Sequence, residues 1–220
     1  MTATRASLAR LAVGASGWSY PSWRPGFYPA GARTEEFLRL YSERLPAVEL
    51  NATGYRLPSA EQFRSWAQQV PDGFRFAVKA PPLMLRRPDV AFDRVRTLGD
   101  RLGCVRVVLQ GPRDDALLER LLHSARDTRL ALDLRHPSWD GSEALLGEAS
   151  AVRVGDWDAR AEWRYLRFRE PPHDDDTLRA IAARLAPLLD ARVEVFAFFR
   201  HEDEPTAPEA ALRLLELLET

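Results

Sequence analysis

The sequence predicts a TIM-type β/α barrel of about eight parallel strands, and three observations support this fold class. Short runs of strand-forming residues alternate with amphipathic stretches of helical length. No long polar linker interrupts the alternation, and parallel strands need crossover connections. The chain has 220 residues, 45% of them hydrophobic, which is enough for one sizeable core. We therefore expect one domain over residues 1–220, with residues 1–10 as a loose segment.

Eight runs have the composition of strands. They are Leu11–Ala15, Ala47–Asn51, Phe74–Lys79, Val105–Gln110, Leu130–Arg135, Ala151–Asp156, Arg164–Arg169 and Val193–Phe199. Only residues 157–163 separate the sixth and seventh runs, too few for a crossover helix, so this unit is expected to be degenerate. The chain is also shorter than the roughly 250 residues typical of this barrel, which predicts trimmed loops. An open doubly wound sheet is the alternative architecture.

Six stretches have helical periodicity. They are Thr34–Leu45, Ser59–Val70, Phe92–Leu102, Asp114–Ser124, Thr177–Leu189 and Pro208–Leu218. Ser59 and Gln62 form a capping-box pattern at the start of the second stretch. The acidic run 173–177 is interpreted as the start of a helix instead of a cation site, because carboxylates stabilise helix N-termini.

Composition argues against several function classes. The formal net charge is −1 with 29% charged residues, so no basic field favours nucleic acid as a partner. The single cysteine, Cys104, allows neither a disulfide within the chain nor a cysteine zinc site, and fits a reducing cytoplasm. The N-terminal segment lacks the apolar stretch of a secretory signal, and no segment reaches membrane-spanning length. We expect a cytoplasmic protein; its oligomeric state is not predicted.

Two residue types occur once each. Lys79 is the only lysine among 31 basic residues, and Asn51 is the only asparagine. Arginine and lysine are interchangeable as solvated cations, so a single remaining lysine suggests a need for a compact amine that can lose its proton.

Polar residues gather at the carboxyl ends of the predicted strands. Side chains alternate between the faces of a strand, so Glu49 and Asn51 share one face while their neighbours face the helices. By position or parity, the same end of the barrel receives Lys79, Gln110, Asp133, Arg135, Asp156 and Arg167. In barrels of this type the site is built at this end.

These residues suggest specific chemistry. Glu49 and Asp133 are candidate general acids or bases, and Lys79 is a candidate base, Schiff-base nucleophile or anion clamp. Arg135 and Arg167 can hold a carboxylate or phosphate through two hydrogen bonds. The structural alternative is that the acidic side chains only pair with the basic ones, since buried ions are tolerated when paired. These pairs would join Glu49, Asp133 and Asp156 to Lys79, Arg135 and Arg167.

Three other features carry less weight. The segment GASGWSY at residues 14–20 lacks the spacing of a phosphate or dinucleotide loop, so its glycines are interpreted as serving close backbone packing. The four histidines have no metal-ligand spacing, and only His136 lies at a predicted strand end. Tryptophans after strands, such as Trp139, could stack on a sugar ring or base, though packing explains most of them. Neither a cofactor nor a metal is expected.

The sequence also resembles a known family, the YecE-like proteins or domain of unknown function 72. The resemblance rests on VGASGWSY from Val13, VELNATGYRLPS from Val48, VPDGFRFAVKAP from Val70, LGCVRVVLQGP from Leu102 and LALDLRHPSW from Leu130. It implies a TIM-type barrel and a pocket, but no established reaction. The implied pocket consists of Glu49, Asn51, Tyr55, Lys79, Gln110, Asp133, Arg135, Trp139 and Arg167. The family's description as sugar-isomerase-related is an analogy of fold.

The chain departs from the family pattern at several positions. Gly54 stands where an aromatic residue is usual, and Asp133 replaces a glutamate. Residues 81–89 lack a threonine-histidine pair, and Arg169 and Glu170 replace a histidine-glycine pair. These differences predict altered specificity or lost activity.

The sequence therefore leaves three functions open. The first is a metal-independent acid-base enzyme that uses Glu49, Lys79 and Asp133 on a small polar or anionic metabolite, such as a sugar or sugar phosphate. The second is a non-catalytic protein that binds a small ligand or nucleic acid, although the balanced charge disfavours nucleic acid. The third is a degenerate family member without activity.

Overall fold

The computed structural model describes residues 5–51, 57–171 and 173–219. Eight strands, all paired in parallel, form within these residues. They are β1 (Leu11–Ala15), β2 (Ala47–Leu50), β3 (Arg75–Lys79), β4 (Leu102–Leu109), β5 (Leu130–Leu134), β6 (Val152–Arg153), β7 (Trp163–Phe168) and β8 (Glu194–Phe199). The predicted α/β class and parallel pairing are confirmed.

The strands form two hydrogen-bonded sheets. One sheet has the order β2-β3-β4-β5-β6, and the other has the order β1-β8-β7. The arrangement is that of a TIM-like barrel whose backbone ladders do not close, with gaps between β1 and β2 and between β6 and β7.

A tyrosine bridges the gap between β1 and β2. The Tyr41 hydroxyl donates a hydrogen bond of 3.0 Å to the Ala47 carbonyl and accepts one of 2.7 Å from the Ala15 amide. The two strands approach so closely here that a Cβ on Gly14 would lie 1.8 Å from the Ala47 carbonyl oxygen. The expectation that glycines in this segment serve close backbone packing is thus confirmed at Gly14.

The second gap contains the predicted degenerate unit. Residues 154–162, between β6 and β7, contain turns and bends and no helix. One backbone hydrogen bond of 2.8 Å, from the Gly155 amide to the Tyr165 carbonyl, crosses the gap. Arg164 orders this connection by donating to the carbonyls of Trp157 and Ala161.

Nine α-helices lie in the described residues. They are α1 (Arg5–Leu8), α2 (Phe37–Ser42), α3 (Ala60–Gln68), α4 (Pro82–Arg86), α5 (Pro88–Val95), α6 (Asp115–Ala125), α7 (Glu143–Glu148), α8 (Asp175–Asp190) and α9 (Thr206–Glu219). Each of the six predicted stretches contains or overlaps one of these helices. None of the nine combines the length and the apolar content needed to cross a bilayer.

Local caps explain several helix boundaries. The Ser59 hydroxyl accepts a hydrogen bond of 3.1 Å from the Gln62 amide, and Asp174 accepts one of 2.9 Å from the Thr177 amide. The acidic run therefore does start a helix. Residues 5–8, which were expected to be loose, form α1, and the Ser7 hydroxyl donates a 3.3 Å hydrogen bond to Asp190.

The interior of the barrel changes character along its axis. Inside it, small residues of β1 to β5 and Val152 of β6 pack against aromatic rings of β7 and β8. These residues are Ala12, Ala47, Ala77, Cys104, Ala131, Val152, Trp163, Tyr165, Phe196 and Phe198. Because strand side chains alternate, the inward positions two residues further along β2 to β5 are Glu49, Lys79, Arg106 and Asp133. The charged residues thus share the inward face at the carboxyl end of the strands.

Candidate functional site

A cavity of about 480 Å³ opens where the strands end. We call it the basic cavity. The polar side chains that line it are Asn51, Lys79, Arg106, Gln110, Arg135, Arg167, Arg200 and His201. They come from the ends of β2, β3, β4, β5, β7 and β8, so the fold brings together residues that lie far apart in sequence. Among the described residues that line the cavity there is no Asp or Glu.

Arg106 is the centre of a buried charge cluster beneath this cavity. It is 3% exposed, and its guanidinium lies between two carboxylates. Nη1 donates to Glu49 Oε2 at 2.9 Å, while Nη2 donates to Asp133 Oδ2 at 2.8 Å. The planar fork of an arginine suits this double contact, because its separate nitrogens donate to two carboxylates in fixed directions.

Glu49 is fully buried on β2 and has three donors. Arg106 and the Tyr165 hydroxyl both donate to Oε2, and Arg167 Nε donates to Oε1 at 3.1 Å. Burial on its own would raise the pKa of Glu49, but the charges of Arg106 and Arg167, with the Tyr165 hydrogen bond, lower it below the ordinary value. Glu49 is thus held as an ion.

Asp133 on β5 is surrounded by three arginines. Besides Arg106, it accepts a hydrogen bond of 2.6 Å from Arg169 Nη2, and its Oδ1 lies 2.7 Å from Arg135 Nε. Burial opposes ionisation, yet Arg106, Arg169 and Arg135 together lower the pKa of Asp133. Both carboxylates are therefore ionised and engaged, which leaves them little capacity to accept a proton from a ligand.

Lys79 has the opposite electrostatic environment. It ends β3 and is partly buried at the wall of the basic cavity. Burial and the neighbouring charge of Arg106 lower the pKa of Lys79, and the attraction of Glu49 offsets this only in part. An amine that loses its proton more easily than usual can serve as a base or nucleophile, which fits the inference from its uniqueness in the sequence.

The end of β8 contributes two residues that sequence reasoning missed. Arg200 and His201 both line the basic cavity. The Ser16 hydroxyl accepts a hydrogen bond of 2.9 Å from the His201 amide, and the Tyr20 ring stacks on the imidazole at 4.8 Å. Burial and the charge of Arg200 lower the pKa of His201, so its neutral form is favoured.

Arg106, Tyr165 and Arg169 were also missed, although the sequence held a signal for each. Arg106 stands alone in an apolar strand and shares the face of Gln110, and Tyr165 and Arg169 share the face of Arg167. The pairing scheme expected from sequence was correct for Asp133 with Arg135, whereas Arg167, expected opposite Asp156, pairs with Glu49 at 3.1 Å. It lacked the arginine that joins the two carboxylates.

Other predicted site residues have different surroundings. Asp156 accepts a 2.9 Å hydrogen bond from the Asp158 amide within the β6–β7 connection, next to Arg164 and apart from the charge cluster. His136 contacts the Ser138 hydroxyl at 2.8 Å. Trp139 was expected to bind ligand, but it is 1% exposed and its indole donates to the Gly111 carbonyl at 3.1 Å, so its role is packing. Tyr55 lies outside the described residues.

The fold and the site define an α/β protein of the TIM-like barrel type with a basic cavity at the carboxyl ends of its parallel strands. The chain belongs to the family described as "Protein of unknown function DUF72", whose model matches residues 12–220. The resemblance noted in the sequence is thereby confirmed.

Individual relatives agree with this assignment. The chain is 26% identical over 147 residues to the UPF0759 protein YunF of Bacillus subtilis strain 168, a match that covers 58% of this chain and 51% of YunF. This chain thus spans about half the length of that curated relative. It has the fold of two DUF72 family proteins of known structure. The protein from Enterococcus faecalis V583 has a TM-score of 0.76 at 16% identity, covering 96% and 98% of the two chains. The protein from Thermotoga maritima MSB8 has a TM-score of 0.76 at 21% identity, covering 96% and 99%.

Proposed function

We propose that the basic cavity binds a small anionic metabolite and that Lys79 transfers a proton there in metal-independent acid-base chemistry. The observation that supports the proposal most directly is the positive charge of the side chains that line the cavity. Five cationic side chains face the cavity, namely those of Lys79, Arg106, Arg135, Arg167 and Arg200. Among the described residues, Glu49 and Asp133 lie beneath them and Glu202 lies 3.9 Å from Arg200, so the five cations keep a positive excess that a phosphate or carboxylate would neutralise.

The roles within the site follow from exposure and pairing. Arg135 is 44% exposed and keeps donors that its contact with Asp133 does not use, so it is suited to bind the anion. Arg106 is committed to Glu49 and Asp133 and holds the site together. Because the two carboxylates are ionised and engaged, we assign proton transfer to Lys79 and an electrostatic, positioning role to Glu49 and Asp133.

Ligand-induced thermal stabilisation tests the binding part. Inorganic phosphate and a set of phosphorylated and carboxylated metabolites would be screened against the native protein, Arg135→Ala and a control, Arg39→Ala. Arg39 lies on α2 outside the cavity and pairs with Glu43 at the surface. Binding of an anion raises the unfolding temperature of the native protein and of Arg39→Ala, and less that of Arg135→Ala. The absence of any response in the native protein would count against the proposal.

Lys79→Arg separates binding from proton transfer. Arginine keeps the positive charge but does not release its proton in proteins. For any turned-over ligand found in the screen, we expect Lys79→Arg to retain ligand-induced stabilisation and to lose turnover. If turnover persists in this variant, Lys79 is not the base.

A further inference from the structure

A second cavity of about 550 Å³ lies beside the basic cavity. We call it the aromatic cavity. It is lined by the loop after β1, by the segment before α2 and by α3, and its wall includes Trp18, Tyr20, Gln62, Trp66 and Gln69. Its character differs from that of the basic cavity, since Glu35 is the one charged side chain among its described lining residues.

Asn51 connects the two cavities. It directly follows β2 and is the single residue in the described lining of both. Its Oδ1 atom is buried and has no hydrogen-bond partner among the described residues. A buried acceptor without a donor is costly, and it indicates a donor other than those that the described residues supply.

The aromatic cavity offers surfaces for a flat ring. The Trp18 and Trp66 rings pack edge to face, with centroids 5.4 Å apart, and both side chains remain partly exposed. The α3 helix that carries Trp66 also presents Gln62, and Gln69 directly follows the helix; the exposed side-chain amides of both glutamines carry donors and acceptors. Indole faces with neighbouring amides are the combination that stacks a heterocycle and contacts its edge.

We propose that the two cavities form one extended site for a compound that joins an anionic group to a flat heterocycle, as a nucleoside monophosphate does. The phosphate would occupy the basic cavity near Arg135, the heterocycle would lie against Trp18 and Trp66, and an N–H or O–H between them would donate to Asn51 Oδ1. This inference rests on the proposed function, because it starts from an anionic group bound in the basic cavity and places the rest of the same ligand in the aromatic cavity. The two volumes together suit a molecule of this size.

Calorimetric titration with three probes tests the inference. Inorganic phosphate reports the basic cavity alone, ribose 5-phosphate adds a sugar, and adenosine 5′-monophosphate adds a heterocycle. We expect the monophosphate to bind about tenfold or more tightly than inorganic phosphate, in line with the stacking of one base. Equal affinity for the monophosphate and inorganic phosphate would overturn the extended site. Equal affinity for ribose 5-phosphate and the monophosphate would show that the heterocycle adds no binding energy, and would overturn its proposed place against Trp18 and Trp66.

Substitutions in the aromatic cavity test whether the tighter binding of the monophosphate arises there. Trp66→Ala and Gln62→Ala are expected to reduce the affinity for the monophosphate and to leave that for inorganic phosphate unchanged. Trp157→Ala is the matched control, because Trp157 packs under Arg184 and lines neither cavity. Trp66 also packs on Phe63, so thermal unfolding is checked first, and the exposed Gln62 supplies a variant that does not depend on packing. A monophosphate affinity that neither variant lowers would contradict the proposal.

The outcomes also distinguish the two proposals. Binding of inorganic phosphate without a gain from the heterocycle removes the extended site and leaves the anion site in place. Failure of all three probes to bind removes the extended site, and if the carboxylated metabolites of the thermal screen also fail, it removes the anion site as well.

Discussion

Arg106 on β4 donates a 2.9 Å hydrogen bond to Glu49 on β2 in the interior of the barrel, with β3 between the two strands. The same guanidinium holds Asp133 on β5, so one side chain joins the carboxyl ends of three strands. The arrangement makes stability and binding depend on the same arginine, which leads to the first prediction.

Replacing Arg106 by leucine is expected to be strongly destabilising. It leaves Glu49 and Asp133 buried without their shared partner, and removal of one member of a buried ion pair costs about 3–5 kcal/mol. Urea denaturation measures the change in the free energy of unfolding. Arg39→Ala breaks an exposed pair with Glu43 and is expected to cost under about 1 kcal/mol. Similar losses in the two variants would contradict the assigned role of Arg106.

Acid is expected to destabilise the protein through the two buried carboxylates. The pKa of Glu49 and that of Asp133 are lowered in the folded state, where burial is outweighed by the charges of the neighbouring arginines. Their contribution is therefore fully present above the unfolded-state values of about 4 and is lost as the pH falls through the folded-state values. The free energy of unfolding, measured from neutral pH downward, follows this loss. The slope of the free energy of unfolding against pH in the acid range should be smaller in Glu49→Gln and unchanged in Glu43→Gln, a surface control.

Lys79 is expected to titrate below the ordinary lysine range. Burial and Arg106 lower its pKa, and because it is the only lysine, labelling amines with ¹³C-methyl groups gives one side-chain signal. An anion in the basic cavity favours the charged amine, so phosphate should move the titration midpoint upward. Lys79→Arg identifies the signal by its loss. A midpoint at or above the ordinary lysine value would refute the described environment.

Gly14→Ala is expected to destabilise the protein severely or prevent folding. The new Cβ would lie 1.8 Å from the Ala47 carbonyl oxygen, a backbone atom that cannot move without separating β1 from β2. Gly31→Ala and Gly73→Ala are matched controls, since a Cβ at either position meets nothing within 4 Å. Thermal unfolding and expression in the soluble fraction compare the three variants. If Gly14→Ala were as stable as the two controls, the result would contradict this prediction and show that β1 and β2 can separate at little cost.

The sequence predicted the barrel better than the contacts inside it. Alternation of strand and helix patterns predicted the parallel fold, and β1 was predicted with the bounds that the structure gives. Parity correctly placed Glu49 and Asp133 on the inward face, because that depends only on local geometry. Their partners depend on the register between strands, which the sequence of one strand does not encode, and so Arg106 was missed. The short helices α4 and α7 were missed because five or six residues show too little periodicity.

The Tyr41 hydroxyl makes the distance between β1 and β2 depend on a helix. Its two hydrogen bonds stand where a backbone ladder would otherwise join the strands, and Tyr41 belongs to α2. Each strand leads into a wall of the aromatic cavity, β1 through the loop that bears Trp18 and β2 through Asn51. The spacing of the two strands that lead into the aromatic cavity thus depends on the position of α2, through a single phenol oxygen.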